Sequence, residues 1–441
     1  MAEQMKPSGI DWIGEIPCSW NIKRIKYLAQ LKGRIGWQGL TSDEYTDVGP
    51  FLITGVDFSD GGINWESCVH ITEERWAEAP EIHIKNGDLL ITKDGTVGKV
   101  AIVENLQGKA SLNSGVLLIK TSDEYSKKFL YWALLSEEFW TWFRLKNAGN
   151  STIIHLYQND FAEFSYTFPG ITEQNAIADF LDKECAQIDS VAADLEKQIA
   201  LLQQYKKSLI TETVTKGLDK SVPMKDSGIE WIGEIPAHWD VKRFKDECSK
   251  IGDIDHYMPD STDEGIPYIM TGDFIGDENN IDFVNCKRIS REDYIRLSKK
   301  MKPMYGDILL ARYATIGTVR IVDIHEEFLV SYACAIIRIK ESSYSKYIYY
   351  YLKSNTYSEE IFQYIKTNTQ ANVGIDSIGR AKVPVPPIEE QKQISEFLDK
   401  KCHEINLVLR DKEKQLLKIQ QHKKSLIYEY VTGKKRVKEV Q

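Results

Sequence analysis

A stretch of 22 residues near the start of the chain returns almost unchanged in its middle. MKPSGIDWIGEIPCSWNIKRIK begins at Met5 and MKDSGIEWIGEIPAHWDVKRFK at Met224, 219 positions on and without a gap, with about two-thirds of the aligned residues identical. A second pair, ITEQNAIADFLDKECAQID from Ile171 and IEEQKQISEFLDKKCHEIN from Ile388, is offset by 217, and QQYKKSLI from Gln203 meets QQHKKSLI from Gln420 at that same offset. A weaker pair, GDLLITKDGTVGKVAIV from Gly87 and GDILLARYATIGTVRIV from Gly306, lies between them. Repetition on this scale restricts the chain to two copies of one unit: a short opening motif, a divergent body and a long C-terminal segment.

The long segments read as helices. Leu181, Ile188, Leu195, Leu202 and Leu209 recur every seven residues, as do Leu398, Ile405, Ile419 and Leu426 in the second copy, where Lys412 interrupts the row. Cys185, Ala192 and Ile199, and likewise Cys402, Leu409 and Leu416, fill the intermediate positions. A sustained heptad is a coiled-coil seam, and some 40 residues make a rod of roughly 60 Å, too long to lie along one small domain. A head-to-tail duplication joined by two rods closes most simply as a pseudo-twofold ring. The rods then run antiparallel, Leu181 falls near Leu426 and Leu209 near Leu398, and the chain termini approach each other.

The bodies read as mixed α and β. Phe51–Gly55, Asp88–Thr92 and Val97–Val103 are short β-type runs separated by glycine turns such as Asp94-Gly95, and 126–145 reads as one aromatic-rich helix; the second body repeats this order from Tyr268 to Tyr364. The expected fold is therefore α/β (α+β) domains in two copies, joined by two long helices as an antiparallel coiled coil. The boundaries expected are 1–168 and 223–385 for the domains, and 169–222 and 386–441 for the helical arms.

Composition narrows the function by exclusion. No run approaches the roughly 18 apolar residues of a membrane span, and MAEQMKPSGIDW lacks the apolar core of a signal peptide, so a cytoplasmic setting is expected. The seven cysteines are scattered without a C-x-x-C pair, which points to reduced thiols and no metal. There is no G-x-x-x-x-G-K-[ST] loop, no G-x-G-x-x-G after a strand, no H-E-x-x-H and no clustered nuclease carboxylates. Such a chain leans towards binding, with an unrecognised nuclease and a coiled-coil scaffold as the other classes. The net charge of −9 does not favour nucleic acid, yet 287–320 holds nine Lys/Arg against three acids, and Lys23 to Arg34 holds five cations and no acid. That is either a basic stripe or a solvated face.

The opening motif Ser-Gly-Ile-Asp-Trp-Ile-Gly-Glu-Ile-Pro with Trp20 after it, and its second copy ending at Trp239, resembles the one that opens the specificity subunits of type I restriction–modification enzymes. The Pro-x-x-x-Glu-Gln start of each long helix is similar too: Pro169 before Glu173-Gln174, Pro386-Pro387 before Glu390-Gln391. The first copy departs with Phe-Pro-Gly where the second has Val-Pro-Pro-Ile, which leaves the first helix start less defined. The resemblance covers the whole chain. It implies no catalysis by this chain, and two target-recognition domains that each read half of a bipartite, asymmetric double-stranded DNA site. It also implies an antiparallel helical spacer, two modification (methyltransferase) subunits carrying S-adenosylmethionine, and two restriction subunits that join them.

Within that frame, base edges are read by polar side chains on exposed loops. The candidates are Lys93, Asp94, Thr96, Asn150, Ser151 and Thr152 in the first body, and Arg312, Tyr313, Thr315, Thr369, Gln370 and Asn372 in the second. Gly98 stands opposite Gly317 while the polar identities differ. A plain hairpin turn at Asp94-Gly95, with helix-capping Asn, Thr and Gln, accounts for each residue equally well. Phosphate candidates are Lys23, Arg24, Lys26, Lys299, Lys300 and Lys302, each of which can equally be solvated. Gln203, Gln204, Lys206 and Lys207, recurring as Gln420, Gln421, Lys423 and Lys424, are read as a solvent-facing surface duplicated for two copies of one partner; a recent duplication with little drift gives the same pattern.

Overall fold

The structure is a computed structural model that describes residues 4–34, 39–148, 154–365 and 371–437. Two compact units divide the chain, Met1–Leu195 with Lys414–Gln441 and Glu196–Glu413. The boundary falls inside both long helices, Ile171–Lys216 and Ile388–Val431, so each unit owns part of each helix. In the first unit Phe180 packs against Tyr430 with ring centroids 4.4 Å apart, and Lys423 reaches Asp189 at 2.6 Å. The partners descend along one helix as they ascend along the other, which is an antiparallel pair. The second unit does the same: Lys206 meets Asn406 at 2.7 Å, and a Cβ placed on Gly217 would lie 3.1 Å from Glu390 Oε1. Leu181 and Leu426 share the core of the first unit, and Leu209 packs on the core containing Leu398 in the second. The seam residues Leu181, Leu195, Leu398, Ile405 and Leu426 are buried, and Ile188, Leu202, Leu209 and Ile419 half-buried. The first and last described segments meet in the first unit, where Lys434 Nζ donates to Ile13 O at 2.9 Å.

The bodies fold alike. In the first, strands Val100–Ile102, Leu89–Thr92, Val116–Thr121 and Ala29–Gly33 form a sheet in that order with every neighbour antiparallel. In the second, Val319–Ile321, Ile308–Ala311, Cys334–Ile339 and Cys248–Gly252 repeat it. A three-stranded sheet lies beside each, centred on Thr46–Ile53 or on Ile266–Ile269, and each centre strand has one parallel and one antiparallel neighbour. The central strands Leu89–Thr92 and Ile308–Ala311 are buried at every residue, so they read as continuous apolar runs rather than alternating ones.

The aromatic segment 126–145 is two helices, Lys127–Leu135 and Glu137–Lys146, rather than the single one expected. Ser136 holds an extended backbone between them, and its buried hydroxyl donates to Ala133 O at 2.7 Å. A serine hydroxyl that satisfies the last turn of one helix competes with helix continuation. Ser354 does the same between Ser345–Leu352 and Asn355–Phe362, donating to Tyr351 O at 2.6 Å and accepting from Tyr357 N–H.

Candidate nucleic-acid interface

The hairpin loop after each buried central strand is tied to two other segments by backbone bonds. In the first unit Lys93 N–H donates to Gly115 O at 2.8 Å, and Lys93 O accepts from Leu156 N–H at 2.9 Å. In the second unit Arg312 N–H donates to Ala333 O at 2.8 Å, and Arg312 O accepts from Val373 N–H at 3.1 Å. Residues 93–99, 113–115 and 154–156 are thereby held side by side, as are 312–318, 331–333 and 371–373. Gly98 and Gly317, at φ +82° and +89°, close the two hairpins alike, and at Gly98 a Cβ would strike Trp140 at 2.5 Å.

On this common backbone the side chains differ. In the first unit Asp94 pairs with His155 Nδ1 at 2.5 Å, and Thr96 Oγ1 donates to Gly55 O at 2.8 Å. In the second, Tyr313 bridges to Asn372 at the backbone, and the exposed Thr315 follows. Asp94–His155 and Tyr313–Asn372 occupy equivalent places. Lys93 is half-buried. Asn150, Ser151, Thr152, Thr369 and Gln370 lie outside the described residues.

The expectation of an exposed reader at Arg312 is not met, since the residue is only 5% exposed. Its guanidinium pairs with Asp253, and Nε donates to Val373 O at 2.9 Å. Lys300 adds a second cation to Asp253 at 2.6 Å. Burial raises the carboxyl of Asp253, but the hydrogen bonds and charges of Lys300 and Arg312 outweigh it and hold the group below the ordinary carboxylate range. Asp253 sits where the first copy has Arg34, which is buried and bonds Leu112 O at 2.8 Å and Ser111 Oγ at 3.0 Å.

The positive run 287–320 dissolves into separate structural roles. Arg320 is 1% exposed and feeds the carbonyls of Asn280 and Gly276, Arg291 pairs with Glu327, and Arg296 pairs with Asp293. All six phosphate candidates are exposed, Lys23, Lys299 and Lys302 among them. Arg24 and Lys26 share Glu163 at 2.8 and 2.5 Å, and Lys300 is held by Asp253. Among the described residues no three His, Cys, Asp or Glu are grouped to hold a metal ion, and no helix is long and apolar enough to cross a membrane.

One docking expectation is corrected. Lys206 is 5% exposed, not solvent-facing, because it turns between the helices to Asn406 and to Asp277 at 2.6 Å. Its repeat mate Lys423 is half-buried on Asp189, and Asp189 is the repeat mate of Asn406. This lysine recurs for a contact made within the chain. Gln203, Gln204, Lys207, Gln420, Gln421 and Lys424 are exposed.

The model of the type I restriction modification DNA specificity domain matches the chain twice, over residues 17–201 and 236–418. The chain belongs to that family. The twofold match coincides with the two bodies and the helices that follow them. This specificity chain is 26% identical to the putative type I restriction enzyme MjaX specificity subunit of Methanocaldococcus jannaschii, over 97% of its own length and 96% of the relative's. It is 25% identical to the EcoBI specificity subunit of Escherichia coli, over 70% of its length and 65% of that protein. A chain solved in work on the assembly and conformational transition of the type I R-M system superposes with a TM-score of 0.63 at 16% identity, covering 95% of this chain and 99% of that one, a likeness of fold. The family role is DNA sequence recognition in type I restriction–modification. The chain is its specificity component and carries neither catalysis nor a cofactor of its own.

Sequence reasoning missed His155, Asp253 and the turns 113–115 and 331–333. A signal for His155 exists: the 217-residue offset places it opposite Asn372, already a candidate. The turns carry no such signal, because they reach the hairpins only through sheet pairing.

Proposed function

We propose that residues 1–168 and 223–385 are the two target-recognition domains, each reading one half of a bipartite, asymmetric DNA site, and that 169–222 and 386–441 form the spacer arms. The observation that carries this is the pair of loop clusters with one backbone and two sets of side chains, Asp94–His155 against Tyr313–Asn372. Equal scaffolds bearing unequal hydrogen-bonding groups suit two half-sites of different sequence. The bases are read by the exposed Thr315 and the half-buried Lys93, Asp94, Thr96, Tyr313 and Asn372, together with the candidates at 150–152 and 369–370. Lys23, Lys299 and Lys302 contact phosphates, with Arg24, Lys26 and Lys300 in support. Two modification subunits, which bring S-adenosylmethionine, dock on the repeated Gln203, Gln204, Lys207 and Gln420, Gln421, Lys424, and two restriction subunits join that assembly in a prokaryotic cytoplasm.

The test is reconstitution with the modification subunits. The complex should methylate a randomised-site library at one bipartite sequence, and its mass should correspond to two modification subunits per chain. Methylation without sequence preference would remove the reading function, and a one-to-one particle would remove the duplicated docking surface.

A further inference from the structure

We infer that His256 and Tyr332 are specificity-determining residues for the half-site read by the second unit, His256 presenting its imidazole edge to a base and Tyr332 holding that ring in place. The inference rests on reading the second unit as one of two half-site readers. Tyr332 lies in the turn 331–333 that backbone bonding fixes beside the hairpin loop at Arg312. Its ring stacks on His256 with centroids 4.6 Å apart and planes 19° off parallel, and meets Tyr313 edge-on at 6.3 Å. The imidazole of His256 is 58% exposed, and its Nε2 lies 3.7 Å from Asp253 Oδ2. That ring is therefore held on its face by Tyr332 and near one edge by a carboxylate that Arg312 and Lys300 already fix. An exposed imidazole can donate or accept at a base edge, and a ring held in place loses little freedom on binding.

The first unit carries different side chains in the equivalent turn. There the turn 113–115 carries Asn113, whose Nδ2 donates to Tyr45 Oη at 3.4 Å and whose Oδ1 accepts from Ser114 Oγ at 3.1 Å. Here the turn is preserved, with Val116 N–H bonding Asn113 O as Cys334 N–H bonds Ser331 O, while Ser114 stands in the place of Tyr332 and Asn113 in that of Ser331.

The experiment uses the full chain reconstituted with modification subunits, reading methylation of a library randomised at both half-sites. His256→Ala and Tyr332→Ala should each relax preference by about tenfold at the same base pairs of one half-site, leaving the other unchanged. Tyr332→Phe keeps the stack and should hold preference within about twofold, and Asn113→Ala should relax the opposite half-site. An unchanged profile, a uniform fall across all sequences, or effects of the two alanine variants at different base pairs would overturn the assignment. Should Tyr332→Ala fail to fold by thermal melting, His256→Ala and Tyr332→Phe decide it. A wild-type profile without bipartite preference would overturn the half-site reading itself, and this assignment with it.

Discussion

Gln174 and Gln391 show how a family signature arises from local chemistry. Both are buried at 1% exposure. Gln174 Oε1 accepts from Ser126 N–H at 2.8 Å while Nε2 donates to Pro169 O at 2.9 Å, and Gln391 repeats this with Tyr344 N–H and Pro386 O, both at 2.8 Å. One amide thus satisfies a helix start and a proline carbonyl, which only a side chain with a donor and an acceptor can do. Gln391→Ala should cost about 1–3 kcal/mol in denaturant unfolding, because it strands two buried groups. Arg312→Ala should cost about 3–5 kcal/mol, as expected when one partner of a buried pair is removed; a loss below about 1 kcal/mol would return Arg312 to the surface. The Asp253 pairing also sets a pH dependence. Since the folded carboxyl lies below its unfolded value of about 3.9, its stabilisation is present above that pH and is lost as pH falls through the folded value. Asp253→Asn should flatten the acid limb of the unfolding curve.

Among the elements, the long helices carry an apolar seam and a polar one. Lys206 on Asn406 and Lys423 on Asp189 are repeat-related contacts with unequal surroundings, since the Lys206 side chain is 6% exposed and that of Lys423 30%. Lys206→Ala should therefore cost about 1–3 kcal/mol, as a buried hydrogen-bonded group does. Lys423→Ala should stay within about 1 kcal/mol, as an exposed ion pair does. Equal losses from the two variants in chemical unfolding would refute the asymmetry. The sheet elements were legible as apolar runs. The helix break at Ser136 was not, because a serine within aromatic helical periodicity does not reveal whether its hydroxyl will cap or face solvent.

On the scale of the molecule, each unit is completed by a helix end from the other copy. Leu426, Ile427 and Val431 sit in the core with Trp20 and Leu181, and Ile210 and Val214 sit in the core with Trp239 and Leu398. Truncation after Glu413 should lower the melting transition of the first unit and spare that of the second, read by hydrogen exchange of Leu117–Ile119 against Ile336–Ile337; equal loss of protection would count against reciprocal completion. For DNA, Lys23→Gln in the reconstituted complex should weaken all sequences alike and reduce the salt slope by about one. An unchanged slope would take Lys23 off the phosphates.

The sequence alone determined the two copies, the long helices and the loops in which the copies differ, since repetition and heptads are patterns along the chain. It also placed Lys93, Asp94 and Tyr313 in those loops. Only the tertiary structure decided which polar groups face outward. Arg312 and Lys206 look like surface cations in sequence, yet each is buried against an acid distant along the chain, Asp253 or Asp277. His256 and Tyr332, 76 residues apart, become neighbours only when strand Leu329–Val330 pairs in parallel with Ile266–Ile269. Burial and pairing depend on contacts across the fold, and no local periodicity encodes them.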